Sequence, residues 1–164
     1  MSKKINTRDL VEKIEKVTRE RIAKTEVVSL DAFRHLKKAE DPATVLIVDD
    51  DESIRLSLKR LFEDEGHRVL VAADGTQLTN VLDGNPIHLI ILDVGLPWIN
   101  GFELAQMMKE HDDLKNIPII FVSAHREDRD VKKGFEVGAS DYIKKPFDLQ
   151  QLRKTVQTLL QLNK

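Results

Sequence analysis

The chain has 164 residues, no cysteine, 41% apolar and 33% charged residues, and a formal net charge of −2. Without cysteine there is no disulfide, no thiolate metal site and no thiol nucleophile, which fits a reducing, cytosolic setting. No apolar run approaches the roughly 18 residues that span a membrane, and Met1-Ser2-Lys3-Lys4 lacks the apolar stretch of a secretory signal. Residues 1–43 carry 11 basic and 8 acidic side chains, leaving 15 and 20 in residues 44–164. The basic excess of the first segment is too small and too interleaved with acids for a nucleic-acid surface.

In chain order, Thr7 can cap a helix running to about Lys24, with Asp9 in its positively polarised first turn. Its apolar stripe of Leu10, Val11, Ile14 and Val17 is narrow, and Arg21 interrupts it. Ser29 can cap a second helix through Lys38, with Leu30, Phe33 and Leu36 on one face. Asp41-Pro42 stops it, since proline breaks a helix and restricts the residue before it. Residues 1–43 therefore read as a helical extension and linker, and residues 44–164 as one domain.

From Thr44 the pattern changes. Thr44–Val48 is a β-branched run ending in three aspartates. Ile54, Leu58, Leu61 and Phe62 recur at helical spacing up to Gly66, with Asp51 and Glu52 at the start as partners of the helix dipole. Arg68–Ala72 is a second strand and Thr76–Leu82 a short helix. His88–Leu92 is the central strand: its continuous apolar run reads as buried on both faces. Gly101–Glu110 is a helix and Ile117–Val122 another apolar strand. Arg126–Val137 is a helix closed by Gly138, Asp141–Lys144 a short strand, and Asp148–Leu162 the last helix. Strands alternating with helices imply an α/β fold, a parallel sheet with helices on both faces.

In such a sheet the carboxyl ends of all strands lie along one edge, where open α/β sheets hold their ligands. The first strand ends in Asp49-Asp50, the third in Asp93 and the fourth in Ser123-Ala124; the fifth runs into Lys144-Lys145-Pro146. A lone aspartate at a strand end is often only a turn residue. Clustered carboxylates, however, are costly without a cation, and hard oxygen ligands with room for water suit Mg²⁺. A carboxylate can then attack phosphorus while a hydroxyl and an ammonium hold the other phosphoryl oxygens. The combination is a site for making an aspartyl phosphate.

Val48-Asp49-Asp50, Leu92-Asp93 with Leu96-Pro97 and Asn100-Gly101-Phe102-Glu103, Val122-Ser123-Ala124, and Gly138 through Phe147 together resemble the receiver domain of two-component response regulators. The resemblance covers residues 44–162, with all blocks in order. It implies a doubly wound, flavodoxin-like five-stranded sheet of order 2-1-3-4-5. It implies that Asp93 accepts a phosphoryl group from a histidine kinase or phosphotransfer protein. Asp49 and Asp50 match the acidic pair that binds Mg²⁺ with Asp93, and Gly95 the position whose backbone carbonyl completes the set. Ser123, Ala124 and Lys145 match the phosphoryl-binding positions, Tyr142 the switch aromatic, and Pro146 the residue after a cis peptide bond. Such a domain modifies only itself and is not otherwise an enzyme.

Two positions depart from the family pattern. Gly95 stands where a side chain is usual, and His125 lies two residues after Ser123; both leave the lifetime of the phosphate open. His67 reads as turn chemistry, and His88, His111 and His125 as exposed and not metal ligands. Trp98 reads either as a partner-facing aromatic or as packing over its loop. With the helix Asp148–Leu162 as the last element of the sequence, output is expected from a receiver surface, through a partner protein or a self-dimer, or from the N-terminal extension. The alternatives are a scaffold acting mainly through its N-terminal helices and a Mg²⁺-dependent phosphohydrolase. The phosphohydrolase needs a second aspartate where Gly95 stands.

Overall fold

A computed structural model describes residues 11–16 and 42–163. Of the expected N-terminal helices, 7–24 and 29–38, only residues 11–16 fall among the described residues, and they are helical. The chain divides into two compact units, Met1–Pro42 and Ala43–Lys164.

The second unit alternates strand and helix: β1 (Thr44–Val48), α1 (Glu52–Asp64), β2 (Arg68–Ala72), α2 (Gly75–Leu82), β3 (Leu89–Leu92), α3 (Gly101–Glu110), β4 (Ile119–Ser123), α4 (Asp128–Glu136), β5 (Asp141–Lys144) and α5 (Leu149–Leu162). All pairings are parallel, in the order β2-β1-β3-β4-β5. β1, β3 and β4 are buried along their whole length, which explains their unbroken apolar runs. Alternate side chains feed two cores. Val45, Ile47, Leu89 and Ile91 pack with Leu58 and Phe62 of α1 and Leu152 and Val156 of α5. Leu46, Val48, Ile90 and Leu92 pack with Leu78 of α2 and with Phe102, Ala105 and Met108 of α3. Helices thus cover both faces.

Two strand starts differ from the sequence expectation. β3 begins at Leu89, because the His88 side chain turns back to the start of β1: its Nδ1 accepts the Thr44 N–H at 2.8 Å. β4 begins at Ile119 and not Ile117. The Ile117 N–H is spent in a turn on the Leu114 carbonyl, and Pro118 has no N–H to give the ladder. The helix starts follow their caps. Asp51 accepts from Ser53 and Ile54 N–H groups, Asp74 from Gln77, and Asp148 from Gln150, while Glu127 and Asp130 form a capping box that starts α4 at Asp128.

The strand order places a topological switch between β1 and β3, whose chain connections leave in opposite directions. At their carboxyl ends the flanking loops part and open a crevice. Asp49 follows β1 directly and Asp93 follows β3, so both carboxylates stand in that crevice.

Candidate functional site

Asp49 and Asp93 are 3% and 7% exposed, and Ser123, the last residue of β4, is fully buried. Carboxylate oxygens of Asp49, Asp50 and Asp93 lie within 4.8 Å of one another, with Asp50 exposed at the rim. Lys145, one residue beyond β5, reaches across the sheet edge: its Nζ donates to Asp49 Oδ2 at 2.8 Å and to Asp93 Oδ2 at 3.3 Å. Asp49, Asp50, Asp93 and Lys145 thus meet although they are spread over nearly the whole domain.

Each group is held by its own neighbours. Asp49 Oδ1 accepts the Asp51 N–H at 2.9 Å, and Arg55 of α1 donates to the Asp49 carbonyl at 2.7 Å. Asp93 Oδ1 accepts the Gly95 N–H at 3.2 Å. The Ser123 hydroxyl oxygen accepts the His125 N–H at 3.1 Å. The Lys145 N–H continues the β4–β5 ladder to the Ser123 carbonyl, and the Lys145-Pro146 peptide is cis. Ala124 is exposed beside Ser123.

Three carboxylates face one ammonium. Burial raises the pKa of Asp49, an effect that the Lys145 hydrogen bond and the Asp51 N–H only partly offset. Burial alone lowers that of Lys145, but the hydrogen bond and charge of Asp49, then the charge of Asp93, outweigh it and hold the ammonium above its ordinary value. The site keeps an excess of negative charge on hard oxygen donors, two buried and one open to water. That donor set fits Mg²⁺ rather than a soft or nitrogen-loving metal.

A stability consequence follows with a definite sign. Because the folded pKa of Asp49 lies above 3.8, the folded protein holds the proton more tightly than the unfolded chain. Stability falls as pH rises through that window, and at neutral pH the ionised group opposes folding. Asp49→Asn is therefore expected to raise the melting temperature at pH 7 without divalent cations, with the gain shrinking as pH falls towards 4. A series of thermal melts checks this; a lower melting temperature at pH 7 would contradict it.

Tyr142 is buried. Its hydroxyl donates to the His125 carbonyl at 2.5 Å, and burial pushes the hydroxyl's pKa up, so it remains a donor. The ring sits 5.8 Å from that of Phe121. Gly134 of α4 makes this placement possible: a Cβ there would lie 2.7 Å from Tyr142 Cδ2. His125 thus ties its N–H to Ser123 and its carbonyl to Tyr142. Its imidazole occupies the space left by the missing side chain at Gly95, where a Cβ would lie 3.2 Å from Nε2. Sequence reasoning marked His125 only as exposed and as a departure. The signal available was the pairing of a glycine with a large residue at these two positions.

His67 also does more than end a turn. Its Nδ1 accepts the Ala43 N–H at 3.1 Å, next to the His88 bond on Thr44. Trp98 is half-buried and its indole N–H donates to the Ala73 carbonyl at 3.2 Å, which favours the packing reading.

Residues 45–157 match the response regulator receiver domain. The chain is 40% identical over 119 residues to the transcriptional regulatory protein YvrH of Bacillus subtilis, covering 72% of this chain and 49% of YvrH. It is 37% identical over 116 residues to the aerobic respiration control protein ArcA of Escherichia coli, covering 71% and 48%. The chain spans about half the length of these curated relatives. Among solved structures, the chemotaxis protein CheY4 of Vibrio cholerae superposes with a TM-score of 0.67 at 32% identity, over 73% of this chain and 99% of that one. The non-phosphorylated HemR receiver domain of Leptospira biflexa superposes with a TM-score of 0.68 at 32% identity, over 76% and 98%. Fold and site define a phosphorylation-dependent signalling module. The chain belongs to the response regulator receiver family of two-component systems. Among the described residues no helix is long and apolar enough to cross a membrane.

Proposed function

We propose that Asp93 accepts a phosphoryl group from the phosphohistidine of a histidine kinase or phosphotransfer protein, and that the chain thereby switches its binding to a partner protein or to a second copy. The observation that carries this reading is the convergence of Asp49, Asp50, Asp93 and Lys145 at the β1–β3 switch point. A carboxylate oxygen of Asp93 attacks phosphorus as the phosphorus–nitrogen bond breaks; the bond's electron pair stays on that nitrogen, and the ring, already protonated on its other nitrogen, leaves as neutral imidazole. Asp49, Asp50, Asp93 and the Gly95 carbonyl are the groups that would hold Mg²⁺. When bound, that ion supplies positive charge against the phosphoryl oxygens.

Lys145 stands within hydrogen-bond reach of Asp93 and supplies a second fixed positive charge. The Ser123 hydroxyl and the backbone at Ala124 are the remaining donors on the β4 side. For Ser123 to turn towards a phosphoryl group, its oxygen must release the His125 N–H. The Tyr142 hydroxyl holds the same residue by its carbonyl, so the two side chains share one segment. The catalysis extends only to the domain's own phosphorylation and dephosphorylation, and the setting is the cytoplasm.

The test is incubation of the full chain with acetyl phosphate and Mg²⁺, read by intact mass. Wild type is expected to gain one phosphoryl group and Asp93→Asn none. Equal labelling of the two would move the acceptor away from Asp93. Phosphate-dependent binding or self-association is likewise expected to vanish in Asp93→Asn.

A further inference from the structure

The loop after β3 touches both the acceptor carboxylate and a distant helix. At one end the Gly95 N–H donates to Asp93 Oδ1 at 3.2 Å. Its two ends are pinned together by the Gly95–Asn100 bridge and by the Gly101 N–H on the Val94 carbonyl at 2.8 Å. Residues 95–100 thus form a small closed loop. At its far side Trp98 lies against the start of α2. The indole N–H donates to the Ala73 carbonyl, and a Cβ on Gly75 would meet the indole at 3.3 Å.

The receiving segment is equally well tied. The Ala73 N–H donates to Gln77 Oε1 at 2.7 Å, and the Gln77 N–H to Asp74 Oδ1 at 2.8 Å. Ala73 is thus gripped by Trp98 at its carbonyl and by α2 at its N–H. The Leu78 N–H bonds the Asp74 carbonyl, closing the first turn. On the other side of the site, the Asp49 N–H donates to the Ala72 carbonyl at 3.3 Å. The end of β2 and the start of α2 therefore contact both buried carboxylate positions through short hydrogen-bonded links.

We propose that Trp98 couples phosphoryl occupancy of Asp93 to the β2–α2 turn, making the N-terminal end of α2 a second surface that responds to phosphorylation. The coupling rests on Asp93 being the acceptor. Any shift of the Gly95 N–H, as oxygens arrive on Asp93, is carried by the closed loop to the indole and from there to residues 73–78. An energetic coupling needs a shared element that both ends bias; here that element is the loop of residues 95–100.

Trp98 is the only tryptophan in the sequence, so it reports directly. The full chain is compared with and without acetyl phosphate and Mg²⁺ by intact mass, tryptophan emission and amide hydrogen exchange. Wild type is expected to gain the phosphoryl mass, change its emission, and change exchange in residues 73–78 by at least about fivefold, the lower end of ordinary allosteric couplings. Trp98→Phe keeps a ring but has no N–H. Gly75→Ala crowds the indole instead. Both are expected to gain the same mass while the exchange response at 73–78 drops to less than half of wild type. An undiminished response in both variants, or phosphorylated wild type without any response, would overturn the coupling while leaving Asp93 as acceptor. No added mass on wild type would remove the reading on which the coupling rests, and the coupling with it.

Discussion

Gly101→Ala is expected to be the most destabilising single-methyl change in the domain. A Cβ at that position would lie 2.2 Å from the Asp93 carbonyl oxygen, 2.6 Å from Val94 Cα and 2.9 Å from the Asp93 carbonyl carbon. All three are backbone atoms, so no side-chain rotation relieves the clash. Either the first turn of α3 moves away or the chain after β3 does, and both break the Gly101 N–H bond to Val94. Overpacking of a tight site costs about 1–3 kcal/mol and sometimes more. With only backbone to yield, at least about 3 kcal/mol is expected, or a fall of about 10 °C in melting temperature. Because the displaced atoms belong to Asp93, phosphoryl uptake should fall as well. Gly84→Ala is the natural comparison. That residue has φ +75° but nothing within 4 Å of a Cβ, so its cost is confined to about 1–2 kcal/mol of left-handed backbone strain. Urea denaturation of both variants checks the ranking; a Gly101→Ala protein as stable as Gly84→Ala would mean that the loop yields freely.

That Gly101 matters in this way was not legible in the residue pattern, although Asn100-Gly101-Phe102-Glu103 was recognised as one of the receiver blocks. Periodicity reports which face of an element is buried. It does not report that a helix start lies against the backbone of a residue eight positions earlier. The sheet itself was readable because its central strands are apolar on both faces, a pattern that survives without tertiary information. The meeting of Asp49, Asp93 and Lys145 was readable because parallel topology alone sends strand ends to one edge. The misplaced start of β4 shows the limit of the apolar-run signal: Ile117 belongs to the run, but its N–H belongs to a turn. His88 is exposed, as its sequence context suggested, and His67 closes a turn, but the bonds of these imidazoles to Thr44 and Ala43 were not legible, for a related reason. An imidazole that accepts a backbone N–H from the strand beside it has no local signature. The same holds for Trp98, whose partner Ala73 is 25 residues away.

Lys145→Gln is expected to lower stability strongly at neutral pH and to do so in a pH- and Mg²⁺-dependent way. The Lys145 side chain is 17% exposed and its partner carboxylates on Asp49 and Asp93 are 4% and 9% exposed. Removing the ammonium leaves those carboxylates facing each other with no counter-charge, and an orphaned buried charge costs about 3–5 kcal/mol. Because Asp50 is at the solvent-exposed rim, the lower end, about 3 kcal/mol, is expected here. The signs follow from the two raised pKa values. In wild type, the Lys145 contribution is fully present below 10.5 and is lost only as pH rises through the still higher folded value. In the variant, the pKa of Asp49, already raised by burial, loses the hydrogen bond that held it down and rises further. Its proton then relieves the repulsion, so the deficit should shrink as pH falls towards 4. Mg²⁺ replaces the missing positive charge at the same oxygens without competition from an ammonium. It should therefore stabilise the variant, by about 2.7 kcal/mol at a hundredfold excess over its dissociation constant, and raise its melting temperature more than that of wild type. Melts across pH, with Mg²⁺ and with a chelator, distinguish this from a packing defect. A deficit independent of both pH and Mg²⁺ would mean that Lys145 acts through its aliphatic stem rather than its charge.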